Sequence, residues 1–335
     1  MSFDHFARLA TEQTCPKEHA LEAFGLASGF VDWCTTWFAV NALRAAECEA
    51  RLDREQDKDR KKDLEQEKRG YEPAKNEARR RYIEGAVQRP LELPQGLRLD
   101  PWPPRLLHRS WLAIEVEFEL LTPWYSRDDR LFHVLDNPVR KDRVFGVTYM
   151  SAASWKGLLR WACRMQAGLQ GHLQRHGGKM NDWSDPDWVI HLFGNEKGEE
   201  NDFLRGALAF YPTWFNKVGF EVINPHSRKT RAGTKPIFYE VVPPGTEGLL
   251  RLLYAPLPGA VQRDGVKPAD ALQKLLDAAE QILTVYGFSA KRTAGWGIAE
   301  VIGARANGGE WKQENPLQGL KDQLATLLPS EVDQR

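Results

Sequence analysis

The chain has 335 residues, of which 46 are basic and 46 are acidic, so its formal net charge is zero. This length allows one large domain or two small ones. A zero net charge provides no general attraction to nucleic acid, so an RNA-binding surface would require local segregation of charge. Four widely spaced cysteines without a C-x-x-C pair argue against a zinc site and against a disulfide-stabilised fold.

No apolar run reaches the roughly 20 residues that a membrane span needs. The first residues also lack the basic and apolar regions of a signal peptide. We therefore expect a cytoplasmic protein with no membrane partner and no cofactor.

The spacing of apolar and charged residues over 1–90 predicts a helical extension. Apolar residues recur at helical spacing over 17–48, and two glycines interrupt them, so two short helices are expected there. Residues 49–69 are almost wholly charged with interleaved signs, which is typical of a solvated helix or a partly disordered arm. A further helix from about 73 to 88 would display the run Arg79–Arg81 along one edge.

The rest of the chain predicts an α+β fold. Five prolines within 89–110 predict an extended linker over 91–110. Residues 111–305 then follow the order strand, helix, several strands, helix and strand. This is the β-α-β-β-α-β plan of a ferredoxin-like or RNA-recognition-motif core, here with insertions. Residues 306–335 predict a tail with a short helix.

Several elements of this core are predicted individually. Ile114–Leu120 alternates apolar and acidic residues, which indicates a strand with one buried face and one face in water. A helix is expected over 268–286. Further strands are expected at Leu208–Tyr211, Phe220–Ile223, Ile237–Val242 and Leu249–Tyr254.

The helix that follows residue 150 carries cations near its start. Ser151 or Ser154 is suited to cap this helix. Lys156 lies in its first turn and Arg160 follows four residues later, so both side chains point the same way. Cations at a helix N-terminus oppose the helix dipole. An anionic ligand at this end would relieve the conflict.

A glycine-rich loop follows the second helix of the core. Gly287 is suited to end that helix, and Lys291, Arg292 and Trp296 follow among further glycines. Glycines let the main chain approach a ligand, cations neutralise phosphate, and an indole offers a stacking face. The loop therefore suits a phosphate backbone, although a solvated loop is the alternative. It lacks the G-x-x-x-x-G-K-[ST] spacing of nucleotide hydrolases.

Two other segments carry candidate RNA contacts. The first is the loop over 122–148, and the second is the polar excursion over 224–233. Their candidate residues are Arg127, Arg130, His133, His226, Arg228, Lys229 and Arg231.

Three patches carry a resemblance to a known family. Tyr149–Arg160 is similar to the motif Y-I-P-G-S-S-h-K-G-h-h-R, where h is apolar, with Ser151-Ala152 in place of the Pro-Gly pair. Leu192–Gly194 followed by Gly206–Phe210 is similar to an F-G…G-x-h-x-F block. Gly287–Gly297 is similar to G-h-G-x-K-x-x-x-G-h-G, with serine at the middle glycine. In this order and separation, they resemble the RAMP superfamily of CRISPR-associated proteins over roughly 111–303.

The resemblance implies a function. Within the superfamily, Asn224-Pro225-His226 beside a basic loop is most similar to the smallest terminal RAMP subunit of the type III-B (Cmr) effector complex. It implies a non-catalytic subunit that holds CRISPR guide RNA and target RNA near one end of a filament. Lys156, Arg160, Lys291 and Arg292 would then lie by the guide RNA. Other subunits of the type III complex would be partners, and residues 1–90 would mainly contact neighbouring subunits.

Two alternatives to this function remain open. RAMP-fold RNA-processing enzymes exist, so the chain could be a metal-independent endoribonuclease that processes CRISPR RNA with His133 or His226 as general base. Asp128, Asp129 and Asp136 suggest an acid-assisted version, although flanking arginines favour local ion pairs. The second alternative is a protein scaffold that touches little RNA.

Overall fold

The computed structural model describes residues 30–88, 93, 102–103, 106, 108–129, 133–143, 145–195, 204–225, 233 and 236–328. Both helices and antiparallel sheets are present, so the fold is α+β as predicted. The contacts group the chain into two compact units. We call Met1–Pro90, Arg127–Val139 and Lys217–Val241 the helical unit, and Leu91–Ser126, Arg140–Asn216 and Val242–Arg335 the sheet unit.

The helical unit contains two long helices that pack against each other, α1 (Phe30–Leu52) and α2 (Lys58–Gln88). The Asp57 carboxylate starts α2 by accepting hydrogen bonds from two backbone N–H groups at 2.9 and 3.2 Å. The prediction that this helix begins at about 73 was wrong, because Pro73 lies inside α2. Packing against α1 outweighs the local cost of the proline. Buried side chains of the pair include Val40, Ala45, Cys48, Leu64, Ala78, Tyr82 and Ala86.

The one-sided basic edge predicted for Arg79–Arg81 is also wrong. Arg80 and Arg81 each bind the Glu77 carboxylate, at 2.8 and 2.6 Å. These hydrogen bonds lower the pKa of Glu77 to about 2. Arg79 donates to the Val134 carbonyl at 3.1 Å. Local acceptors therefore engage all three arginines.

The helical unit also holds a two-stranded antiparallel sheet, β5 (Gly219–Ile223) and β6 (Ile237–Val241). Glu240 in β6 is buried and accepts a hydrogen bond from the Tyr82 hydroxyl of α2. Its other oxygen accepts the Val139 N–H at 3.0 Å. One carboxylate thus ties three segments of this unit together.

The sheet unit is built on a four-stranded antiparallel sheet and a separate short strand pair. The short pair, absent from the sequence prediction, is β2 (Thr148–Met150) with β4 (Thr213–Phe215), because three residues are too few to show an alternating pattern. The four-stranded sheet has the order β3-β7-β1-β8. Its strands are β1 (Leu112–Leu120), β3 (Leu208–Phe210), β7 (Glu247–Tyr254) and β8 (Ala299–Ala306).

The helices of the sheet unit share its core with the strands. The helix predicted over 268–286 is confirmed as α7, which continues into a π-helical turn at Ile282–Tyr286. Trp155, Phe118 and Phe288 meet in the interior with ring centroids 5.1 to 6.2 Å apart. The helices are α3 (Ala152–Gln166), α4 (Leu169–Arg175), α5 (Asp187–Phe193), α6 (Ala260–Asp264), α7 (Pro268–Gln281) and α8 (Pro316–Leu327).

Candidate nucleic-acid interface

The glycine loop, residues 287–297, is hydrogen-bonded to the segment that follows β1. The Gly297 N–H donates to the Pro123 carbonyl at 2.8 Å. The Ser289 hydroxyl accepts the Tyr125 N–H and donates to the Tyr125 carbonyl, at 3.0 Å in each case. Serine therefore fits where the family motif has its middle glycine, because its hydroxyl satisfies two backbone groups of a neighbouring segment.

The glycines at the two ends of this loop allow its backbone to fold closely on itself. Gly287 and Gly297 both have positive φ angles, 73° and 83°. A Cβ atom on Gly297 would lie 2.5 Å from the Ser289 nitrogen, and one on Gly287 would lie 2.7 Å from the Trp296 oxygen. Internal packing, rather than approach to a phosphate, thus requires these two glycines. Gly295 is different, because its Cβ position faces open space.

The start of α3 is joined to the glycine loop by an aromatic stack. Ser151 caps α3 as predicted, and its hydroxyl accepts the Ser154 N–H at 3.1 Å. The buried Trp155 ring stacks on Phe288 with centroids 5.1 Å apart and an interplanar angle of 25°. The first turn of the helix and the loop therefore form one rigid wall.

A cleft lies between these two elements. Its volume is about 420 Å³, which falls within the range of ligand-binding pockets. Its lining combines apolar side chains with serine hydroxyl groups and one guanidinium, and the guanidinium can donate to phosphate oxygens. The lining includes Ser126, Ser154, Gly157, Ser289, Ala290 and Arg292.

Gly157 leaves room in this cleft that protein atoms do not fill. It lies in the interior of α3, and no atom comes within 4 Å of its Cβ position. Glycine in a helix costs about 1 kcal/mol relative to alanine. No packing contact among the described residues of the sheet unit requires glycine at this position.

Two cations lack a carboxylate partner within the described ranges: Arg292, which lines the cleft, and Lys156, which precedes the lining residue Gly157 on α3. Arg292 is exposed, and its guanidinium carbon lies 4.9 Å from the centroid of the Trp161 ring. Lys156 is exposed on α3, one residue before Gly157. Desolvation of its ammonium group and the nearby charge of Arg160 lower the pKa of Lys156. Both effects would be offset by a bound anion.

Arg160 differs from these cations because Asp185 binds it. Its Nε and Nη2 atoms donate to one Asp185 oxygen at 3.0 and 2.6 Å, and Arg164 donates to the other at 2.6 Å. Burial disfavours ionisation of Asp185, but hydrogen bonds from Arg164, Trp183 and Arg160 outweigh it and lower the carboxyl pKa. Asp185 lies in a loop without a regular pattern, so the sequence offered no signal for this pairing.

The remaining predicted residues of the glycine loop are only partly exposed. The Lys291 N–H donates to the Ser289 hydroxyl at 3.3 Å. Trp296 is half-buried, and its ring meets Tyr125 edge-on with centroids 6.4 Å apart. Part of the indole surface therefore packs on protein rather than facing a ligand.

Other predicted site residues belong to the helical unit. Arg127 is exposed. The His133 ring meets Tyr82 edge-on at 5.1 Å, and its Nδ1 accepts the Leu135 N–H at 3.1 Å. Five predicted residues lie outside the described residues: Arg130, His226, Arg228, Lys229 and Arg231.

Glu115, Glu117 and Glu119 of β1 share one face of the four-stranded sheet. The alternating pattern of β1 predicted that this face lies in water. Glu115 is 1% exposed, which corrects that prediction. Arginines occupy the opposing positions on both neighbouring strands, and Arg251 and Arg305 bind this carboxylate. The pair of arginines provides the partners that a buried charge needs.

Further along the same face, carboxylates accumulate. Glu119 pairs with Glu247 of β7 and with Glu300 of β8 across the sheet. Desolvation and the charge of Glu247 raise the pKa of Glu117. This negative charge would repel phosphate groups. In the sheet unit, the cleft is therefore the better candidate for contact with a nucleic-acid backbone.

No group of three or more histidine, cysteine, aspartate or glutamate side chains in the described ranges is arranged to hold a metal ion. No helix in this part of the chain is long and apolar enough to span a membrane.

The chain matches one family model, and its fold is similar to chains of two solved structures. The family model of the RAMP superfamily matches residues 117–300. A chain in a cryo-EM structure of the type III-B Cmr-beta bound to cognate target RNA is 14% identical with a TM-score of 0.53, covering 90% of this chain and 98% of that one. A chain of the Csm3-Csm4 subcomplex in the type III-A CRISPR-Cas interference complex is 13% identical with a TM-score of 0.42, covering 66% and 97%. No curated protein matches.

Proposed function

The chain belongs to the RAMP superfamily, and we propose that it is a non-catalytic RNA-binding subunit of a type III CRISPR effector complex. In this proposal it holds CRISPR guide RNA and target RNA near one end of the complex, in the cytoplasm, as the smallest terminal RAMP subunit does. The observation that carries the proposal is the cleft between the α3 start and the glycine loop, whose lining includes Arg292. Among the described residues, neither Arg292 nor Lys156, which precedes the lining residue Gly157, has a carboxylate partner.

The chemistry of the cleft suits a phosphodiester backbone. An arginine guanidinium offers paired N–H donors to phosphate oxygens, and a lysine adds a compact charge. The N-terminal end of α3 adds the positive end of the helix dipole, and Gly157 removes the side chain that would keep a backbone away. Lys156 and Arg292 are the principal phosphate contacts in this proposal. Lys291 and Trp296 of the glycine loop are secondary contacts, and Arg127 is a separate proposed contact in the helical unit.

The likeness of the fold to a chain of the Cmr-beta complex supports RNA and other subunits as partners. The fold likeness to a chain of the Cmr-beta structure extends over most of both chains, and that structure is bound to cognate target RNA. The order β1-α3-β3-β7-α7-β8 in sequence, with β3-β7-β1-β8 across the sheet, supports a ferredoxin-like core with insertions. Neighbouring subunits of the complex are further proposed partners, with residues 1–90 as the proposed contact region.

A salt titration of RNA affinity tests the proposal. The full chain is titrated with a fluorescein-labelled single-stranded RNA of mixed sequence at several salt concentrations. K156A and R292A should each weaken binding for all sequences and reduce the slope of log affinity against log salt by about 0.7. R175A is the matched control, because Arg175 is an exposed cation on α4 outside the cleft lining. Equal slopes for wild type, K156A and R292A would reject the cleft as the RNA site.

The non-catalytic part of the proposal has a separate test. The Nδ1 atom and the ring edge of His133 already contact Leu135 and Tyr82, which supports a structural role for this histidine. Wild type and H133A should leave labelled RNA uncut in the presence of a chelator. Cleavage by wild type that disappears in H133A would establish the endoribonuclease alternative.

A further inference from the structure

The side chains of Tyr286, Trp161 and Arg292 contact one another in that order, and we call these three residues the column. The Tyr286 ring meets Trp161 edge-on, with centroids 4.9 Å apart and an interplanar angle of 79°. The guanidinium carbon of Arg292 lies over the Trp161 ring at 4.9 Å. Tyr286 ends the π-helical turn, Trp161 projects from α3, and Arg292 begins a short 3-10 turn of the glycine loop. The column thus joins three separate elements of the sheet unit.

Only one member of this column lines the cleft. Arg292 is among the lining residues, whereas Trp161 and Tyr286 are not. Trp161 is half-buried, and among the described residues Arg292 is the only cation over its ring. It is therefore placed to act on a ligand through Arg292 rather than by direct contact.

We propose that Trp161 is a positioning residue, which holds the Arg292 guanidinium at the cleft in the orientation that binds a phosphate. This inference rests on the proposed RNA-binding function and names a residue on which that function depends. A free arginine samples many rotamers, and ordering it on binding costs conformational entropy. A guanidinium that already rests on an aromatic face has lost part of this freedom before the ligand arrives, so binding is tighter.

The neighbouring arginine on α3 illustrates why such a device is needed here. Arg160 is held by Asp185, so its orientation is set by a carboxylate that also neutralises its charge. An aromatic ring instead restrains an arginine and leaves its net charge available to phosphate. Trp161 can thus order Arg292 without cancelling the charge that the cleft requires.

The first test compares W161A, W161F, R292A and the double variant W161A/R292A in the RNA titration described above. R292A should reduce the salt slope by about 0.7, because one phosphate contact is lost. W161A should weaken binding about two- to five-fold with no change in slope, the fold-change expected for an exposed cation–π contact. W161F should retain most of the affinity, and W161A should add nothing in the R292A background.

Two outcomes of this test overturn the inference. Equal losses from W161A in the wild-type and R292A backgrounds would mean that Trp161 contacts RNA itself. Full affinity of W161A, while R292A is weakened, would mean that Arg292 needs no positioning. W188A is the matched control, because the Trp188 ring also carries a cation, Lys274 at 5.1 Å, and does not line the cleft.

A measurement without RNA separates this inference from the proposed function. The fast motion of the Arg292 Nε–H group is followed by NMR relaxation in the free full-length chain. W161A should increase this motion, and W161F and W188A should leave it near the wild-type level. If RNA affinity proves independent of Arg292, the cleft fails as the proposed RNA site on that result. Unchanged Arg292 motion in W161A would instead overturn the positioning role.

Discussion

Arg160 directs two of its nitrogens at a single oxygen of Asp185, at distances of 3.0 and 2.6 Å. Both side chains are largely buried, with 14% and 4% of their surfaces exposed. Lys156, one turn earlier on the same helix, has no such partner within the described residues. Two cations that the sequence places on one side of a helix therefore differ, because a carboxylate binds one of them and, among the described residues, none binds the other.

We expect D185A to destabilise the protein by roughly 3 kcal/mol, because it leaves Arg160 and Arg164 largely buried without their carboxylate. Urea denaturation at pH 7 measures this loss. D187A is the control, since Asp187 is an exposed carboxylate in the first turn of α5. Equal midpoints for D185A and D187A would contradict the structural role of Asp185.

The same carboxylate should contribute to acid sensitivity. The pKa of Asp185 is lowered in the folded state. Its stabilising contribution is therefore complete above the ordinary aspartate value of 3.8 and is lost as pH falls through the lower, folded value. Wild type should lose more stability than D185A in this acidic range. Parallel losses in the two proteins would show that the pairing does not depend on the charge of Asp185.

We expect G157A to stabilise the protein and weaken RNA binding at the same time. Alanine is favoured over glycine in a helix by about 1 kcal/mol, and the added methyl group meets no protein atom. The methyl group projects into the cleft, where it would obstruct a backbone. Thermal unfolding and the RNA titration give the two readouts.

G171A is the matched control for this substitution, since Gly171 is also helical with open space at its Cβ position, on α4 away from the cleft lining. It should gain stability without losing RNA affinity. Unaltered RNA affinity of G157A would mean that no ligand approaches the helix there.

We expect K156Q to raise stability by about 0.3 to 1 kcal/mol, because it removes a cation from the first turns of α3. The folded-state pKa of Lys156 is lowered, chiefly by desolvation. Its unfavourable contribution is therefore present below the folded pKa and fades as pH rises toward the unfolded value of 10.5. The stability difference between K156Q and wild type should shrink as alkaline pH is approached.

K179Q controls for a general loss of positive charge, because Lys179 is exposed in the turn after α4. Denaturation curves at neutral and alkaline pH provide the measurement. A lower stability of K156Q at neutral pH would contradict the electrostatic argument.

We expect G297A to lower the free energy of unfolding by roughly 2 to 4 kcal/mol. The alanine would have a positive φ, and its Cβ atom would lie 2.5 Å from the Ser289 nitrogen. G295A separates the two effects: Gly295 has a φ of 77° but open space at its Cβ position. It should cost only about 1 to 2 kcal/mol of backbone strain. Chemical denaturation of both variants measures the difference, and equal costs would rule out the packing contribution.

Local features of the sheet unit were predictable from sequence because neighbouring residues produce them. The Ser151 cap depends on a hydroxyl three residues before an N–H group. The strand at Leu249–Tyr254 and the helix at 268–286 follow from alternation and helical spacing, and both are present. The start of α2 was not predictable, because packing against α1 decides whether a helix tolerates Pro73.

The sequence by itself determined three motifs in a fixed order, two of which combine glycines with cations, and these motifs carried the resemblance to the family. Only the tertiary structure decided which cations remain available to a ligand. Asp185 binds Arg160 from 25 residues away, and Trp161 lies under Arg292 although 131 positions separate them. Charge pairing acts over a few ångströms in space, and separation along the chain does not reveal it.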